Sequence, residues 1–306
     1  MPFRFTHIVN PFKGANTPEE QQSRDITFRA MEQAAAHAAP VANVRLATAQ
    51  FPEDKTIIPE TYIKTTDLTK ALNQLQGLGH TKKLPFMQEI VSRFHEFPDS
   101  DFYIYTNMDI IPAPGFYSTV ADLIQTHQCD ALIINRRRIK EKWKNMPDEI
   151  FRQNGLPHPG YDCFVFSKQI LYQLQFGNAV IGVPGIGFLF AHNLFLFARK
   201  CMVFSDLKIT YHLGLEIVKN WADDQVVKFQ ISEAMKFLKK HRKDFDIRKF
   251  PGYHLPLLKR HYIWLMSPLF SYPLMFKLDI KRLFDGRVII NDTLHGSGLM
   301  DWKNSQ

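Results

Sequence analysis

Short apolar runs alternate along this chain with longer amphipathic stretches, a pattern that predicts strands alternating with helices in a mostly parallel sheet. Thr6 to Asn10 is an apolar strand stopped by Pro11. Ser23 to Ala38 has helical spacing and an alanine-rich body, with Ser23 placed to cap it. Asn43 to Thr48 predicts a second strand. The polar, punctuated stretch from Pro52 to Gly79 predicts a loop with short elements. Leu84 to Phe94 predicts a helix, with Pro85 tolerated in its first turn.

The next run is the most telling. Asp101-Phe102-Tyr103-Ile104-Tyr105-Thr106-Asn107-Met108-Asp109 is short, rich in β-formers, and breaks into an Asn-x-Asp pair before Ile110-Ile111-Pro112-Ala113-Pro114-Gly115. It predicts a buried strand with polar groups at its carboxyl end, where open α/β sheets bind ligands. On an extended chain Asn107 and Asp109 share a face.

Beyond it, a helix starting near Pro114 places Phe116, Val120, Leu123, Ile124 and His127 on one side. Ala131 to Ile134 predicts a strand leading into Arg136-Arg137-Arg138, and Tyr161 to Phe166 another, followed by a helix from Ser167. Asn178 to Gly187 is a glycine-rich loop, and Gly187 to Lys200 an apolar helix. Met202 to Phe204 and Lys208 to Tyr211 predict short strands, and the chain from Trp221 onward looks helical. The expected organisation is a main domain over 1–225 and a helical, basic and apolar extension over 226–306.

With 306 residues, 45% hydrophobic and 22% charged, the composition excludes a disordered or fibrous chain. The formal net charge of +8 favours anionic partners such as nucleotides, phosphorylated lipids or membrane surfaces. A solvated helical face explains Lys239 to Arg248 better, since Asp244 and Asp246 interleave there. The basic clusters lack the interleaved aromatics of single-strand binders, so nucleic acid is not expected. Cys129, Cys163 and Cys201 are widely spaced, which suits buried free thiols in a reducing compartment.

The start Met1-Pro2-Phe3-Arg4-Phe5 lacks a signal-peptide pattern, and no uncharged apolar run reaches membrane-spanning length. The expected location is cytoplasmic. Tyr262 to Phe276 mixes Ile263, Trp264, Leu265, Met266 and Phe270 with flanking Lys259, Arg260, Lys277, Lys281 and Arg282. That mix suits a peripheral contact with an anionic membrane at its inner face. The alternative is a helical pair packed on the domain and split by Pro268 and Pro273.

Several residues are candidates for chemistry. Asp109 is of the type that binds magnesium or manganese, and through the cation a diphosphate. Asn107 suits a ribose hydroxyl or a metal-bound water, although Asn and Asp also end strands simply as turns. His212, in Ile209-Thr210-Tyr211-His212-Leu213-Gly214, is a potential second metal ligand or a satisfied polar group. Asp162 is the one acid in an otherwise apolar strand, and a buried carboxylate needs a partner. It is either a structural anchor or part of a site. His158, upstream, reads as a companion to it or an exposed loop residue. Lys82 and Lys83, beside a predicted helix start, suit phosphate, with surface charge the plainer reading. No Walker loop, G-x-G-x-x-G after a strand, G-x-S-x-G or H-E-x-x-H occurs.

Taken together, these segments resemble the GT-A-fold glycosyltransferases of the nucleotide-diphospho-sugar transferase superfamily. Tyr103 to Asp109 looks like their strand ending in D-x-D, with Asn107 in place of the first Asp. Val9-Asn10-Pro11-Phe12 is similar to the first strand and loop that cradle the base. Lys82-Lys83-Leu84-Pro85-Phe86 resembles a segment that precedes the metal motif. His158 to Phe166 looks like the acceptor-side strand, and Thr210 to Gly214 is similar to the segment carrying the late metal histidine.

The resemblance spans residues 5 to 221 and implies a mixed, mostly parallel GT-A-type sheet flanked by helices; the helical C-terminal extension, which it does not cover, is expected from the residue pattern. It implies a divalent metal, Mn2+ or Mg2+, at Asp109 and His212, and nucleotide contacts from Asn10, Pro11, Lys83 and Asn107. Asp162 would face the acceptor, a glycan or lipid-linked hydroxyl. Gly182 to His192 has no Asp or Glu where inverting members carry their base. The alternatives are Asp162 as base, a retaining reaction, or a catalytically inactive nucleotide-sugar or glycan-binding protein on the same fold.

Overall fold

The computed structural model describes residues 2–14, 17–75, 82–158, 160–215, 224–267 and 270–284. Trp221 and Pro268, invoked above, lie outside these residues.

Among the described residues, the large sheet has seven strands: β1 (Phe3–Val9), β2 (Ala42–Thr48), β3 (Ile63–Lys64), β4 (Phe102–Thr106), β6 (Ala131–Ile134), β9 (Cys163–Ser167) and β10 (Cys201–Phe204), in the order β10-β6-β9-β4-β1-β2-β3. All neighbours are parallel except β9, which runs antiparallel between β4 and β6. A small sheet joins β5 (Ile111–Pro112), β11 (Thr210–Leu213), β7 (Arg137–Ile139) and β8 (Leu156–Pro157) in that order.

The central strands are apolar throughout because both faces are covered. Alternate residues feed opposite cores: Tyr103, Tyr105, Ile133, Phe164 and Phe166 one, and Ile104, Leu132, Ile134 and Val165 the other. The first core takes α2 (Met87–Ser92), α5 (Ile186–Phe197), α6 (Asp224–His241) and α7 (Leu257–Met266). The second takes α1 (Pro18–Ala38) and α3 (Phe116–His127). α4 (Lys168–Leu171) is a single turn after β9, and α8 (Tyr272–Phe284) packs on α7.

Three local expectations are corrected. Thr17 caps α1 in place of Ser23: its hydroxyl accepts from Glu20 N while Glu20 accepts from Thr17 N, so Thr-Pro-Glu-Glu starts the helix a turn and a half early. Pro85 precedes the helix at Met87 instead of opening it, because the chain at Pro85 and Phe86 bridges to Ala71 and Val180. β4 ends at Thr106, and the bond from Ile110 N to Asn107 O (3.1 Å) turns the chain there. Asn107 and Asp109 therefore do not share a strand face.

Candidate active site

Strand register determines which side chains meet at the carboxyl end of β4. Cys163, the first residue of β9, pairs with Thr106 on one side and Ile134 on the other. Asp162 thus enters the sheet edge between Asn107 and Arg136. Asn107 Nδ2 donates to Asp162 Oδ1 at 3.1 Å, and Arg136 Nη1 lies 3.0 Å from Asp162 Oδ2. The Tyr105 hydroxyl donates to Asn107 Oδ1 at 3.1 Å, fixing the amide's orientation. His158 Nε2 stands 3.9 Å from Asp162 Oδ2, and its carbonyl accepts from Asn135 Nδ2 at 2.6 Å. His158 is buried, not an exposed loop residue.

The electrostatics follow from burial. Desolvation raises the Asp162 carboxyl above its ordinary value, and the Arg136 guanidinium opposes the rise. Desolvation, then Arg136, Arg138 and His212, lower the His158 imidazole to about 3, so it is neutral at pH 7.

The second relationship comes from the small sheet. β5 follows the turn at Asn107 and pairs antiparallel with β11, Ile111 opposite Tyr211. This brings the His212 ring to Asp109, with Nε2 3.1 Å from Oδ2. The imidazole is 4% exposed and the carboxylate 50%, so the ring is covered while the carboxylate is open to solvent. His212 Nδ1 lies 3.4 Å from the Gly214 carbonyl oxygen. A carbonyl only accepts, which places a ring proton on Nδ1. Nε2, which faces Asp109 Oδ2, is then the ring atom that a cation shared by both groups would use.

Among the described residues, no group of three or more His, Cys, Asp or Glu side chains could hold a metal. The donors at this point are therefore two, too few for a closed protein cage. A hard dication bound with a diphosphate takes one or two protein ligands and fills the rest of its shell with phosphate oxygens and water. The Asp109–His212 pair fits that second arrangement.

The remaining candidates lie around the segment after β2. Asn10 is buried and donates Nδ2 to the Ala49 carbonyl at 2.5 Å, tying the ends of β1 and β2 together. Pro11 is buried just beyond β1. Lys83 Nζ is 2.6 Å from Glu53 Oε1 and 3.9 Å above the Phe51 ring. Its charge is thus shared with Glu53, whose carboxyl it holds below the ordinary value.

Arg136 escaped the sequence reading, which placed it in a basic cluster. It is 8% exposed and pairs with Asp162 at the end of the sheet. Its one signal is position, two residues after a strand that must first be known to pair with β9.

Two solved structures share this architecture. The S. aureus TarS fragment 1–349 has 11% identity, a TM-score of 0.51, and a match covering 94% of this chain and 76% of that one. The same fragment in complex with UDP-GlcNAc has 12% identity, a TM-score of 0.52, and coverage of 93% and 73%. No family model and no curated protein sequence matches the chain. The chain shares the fold of these structures, a GT-A-type mixed, mostly parallel sheet flanked by helices.

Proposed function

We propose that this protein is a glycosyltransferase that moves a sugar from a nucleotide-diphosphate donor to an acceptor hydroxyl, assisted by Mn2+ or Mg2+. One observation carries the reading: the 3.1 Å approach of Asp109 and His212 at the carboxyl end of the sheet, where this fold class binds ligands. These two residues would hold the cation. When bound, the cation offsets negative charge on the leaving diphosphate. TarS binds UDP-GlcNAc on the same architecture, which supports a uridine-diphosphate sugar as the first donor to test.

The other side chains have distinct parts. Asn107, fixed by Tyr105 and Asp162, presents its amide beside the donor. Asn10, Pro11 and Lys83 border the nucleotide. Asp162 faces the acceptor, a glycan or lipid-linked hydroxyl, and its raised carboxyl suits it to accept the proton. The test is turnover: donor hydrolysis or transfer requires Mn2+ or Mg2+ and disappears in Asp109→Ala. A folded Asp109→Ala protein with full turnover removes the assignment.

A second reading is a nucleotide-sugar or glycan-binding protein without catalysis. It is favoured by Asp162, whose two oxygens are already engaged by Asn107 and Arg136. Metal-dependent nucleotide binding with no turnover across a broad acceptor panel selects it.

A further inference from the structure

The two helices α7 and α8 divide sharply into a buried and an exposed side. On α7, Ile263 and Trp264 are buried, as is Ser267 just past its end. The opposite side carries Leu258, Tyr262, Leu265 and Met266, exposed by 85%, 62%, 58% and 56%. Their spacing of four, three and one residues makes a single stripe. Phe276 of α8, 47% exposed, extends it: His261, which lies between Leu258 and Leu265 on the helix surface, has its ring centroid 5.8 Å from that of Phe276. Five large apolar side chains in one exposed patch are not the scattered hydrophobics of an ordinary surface.

Among the described residues of α7 and α8, the exposed charges have one sign. Lys259, Lys277 and Lys281 are exposed beside it. The one acid between Gly252 and Phe284 is Asp279, which is 1% exposed and held by Arg260 at 2.6 Å and His261 at 3.0 Å. Its charge is spent inside the helix pair, so the described outer surface here is apolar and cationic with no exposed carboxylate. A protein partner is not needed to explain that combination. A surface that is hydrocarbon below and anionic above is its direct complement. No helix of the described residues is long and apolar enough to cross a membrane, so the contact is made from one side.

We propose that the α7–α8 face docks on an anionic lipid surface, with Leu258, Tyr262, Leu265, Met266 and Phe276 entering the headgroup–acyl boundary and Lys259, Lys277 and Lys281 meeting lipid phosphates. The proposal is independent of the catalytic reading. The test is co-flotation of the full chain with vesicles of phosphatidylcholine alone or with 30% phosphatidylglycerol, a composition set by the experiment at about the level where anionic surfaces attract basic segments. The expected result is recovery with the anionic vesicles and little with the neutral ones. Lys259→Ala, Lys277→Ala and Lys281→Ala combined lower partitioning about a hundredfold, at roughly fivefold per lysine. Leu258→Asp with Leu265→Asp abolishes it while the circular dichroism spectrum stays unchanged.

Three results overturn the proposal. One is a full chain left unbound by the anionic vesicles. Another is a Leu258→Asp, Leu265→Asp protein that still floats. The third is sedimentation showing a dimer that this double variant dissociates, since a second copy then covers the face.

Discussion

Asn107 donates its side-chain amide to Asp162 at 3.1 Å across 55 residues of sequence. This contact requires a donor at position 107: an aspartate there would face the Asp162 carboxylate with no proton between them. The Asn107→Asp protein is expected to lose about 1–3 kcal/mol of stability at pH 8 and to recover part of it at pH 5, where the two carboxyls share a proton. Denaturant unfolding at the two pH values, with chelator present, checks this. An Asn107→Asp protein as stable as its parent at pH 8 argues against the account.

His7 gives the fold a defined acid sensitivity. Its ring is fully buried, with Nδ1 2.8 Å from the Tyr117 hydroxyl and Nε2 2.9 Å from Thr106 Oγ1. Burial lowers it from an ordinary 6.5 to about 3. Between those values the unfolded chain binds a proton that the folded chain does not, so stability falls as pH drops. His7→Gln is expected to flatten the decline between pH 6 and pH 4 by about 1.4 kcal/mol per pH unit. His158 and His192, lowered by burial to about 3 and about 4, leave part of the slope in place. An unchanged slope in His7→Gln contradicts the assignment.

Phe190 holds α5 to the sheet. Its ring stacks on Phe164 with centroids 4.2 Å apart and touches Phe176 at 4.9 Å and Tyr105 at 5.8 Å. It is 0% exposed, so Phe190→Ala opens a cavity at the junction and is expected to cost about 3–5 kcal/mol, read from denaturant midpoints.

Gly187 is required by contact with the segment that leads into Asp162 and β9. A Cβ there would stand 2.5 Å from the Tyr161 carbonyl oxygen, a backbone atom that cannot turn aside. Gly187→Ala is expected to push the start of α5 from the segment leading into Asp162, costing about 1–3 kcal/mol. Turnover should fall further than nucleotide affinity, because Asp162 shifts while Asp109 and His212 stay in place.

The sequence pattern reaches as far as local signals reach. Ala131 to Ile134 is marked by its apolar run, and the break after Thr106 by its polar residues. Asp109 and His212 stand out as polar residues where apolar runs end. Their 3.1 Å contact depends on β5 pairing with β11, a link of about a hundred residues that no local pattern encodes. The reversed direction of β9 is equally non-local, and with it the meeting of Asp162 with Arg136. Lys83 illustrates the converse. Its neighbours in sequence suggest phosphate, while the fold brings Glu53 and Phe51 to it from a loop thirty residues earlier.

Calorimetric titration of nucleoside diphosphates, UDP first, with and without Mn2+ tests the central claim most directly. The account predicts that Mn2+ tightens binding to the parent protein at least ~tenfold, and that Asp109→Ala and His212→Ala each abolish the gain while remaining folded. Equal nucleotide affinity with and without the cation, or a gain that survives in both variants, would contradict it.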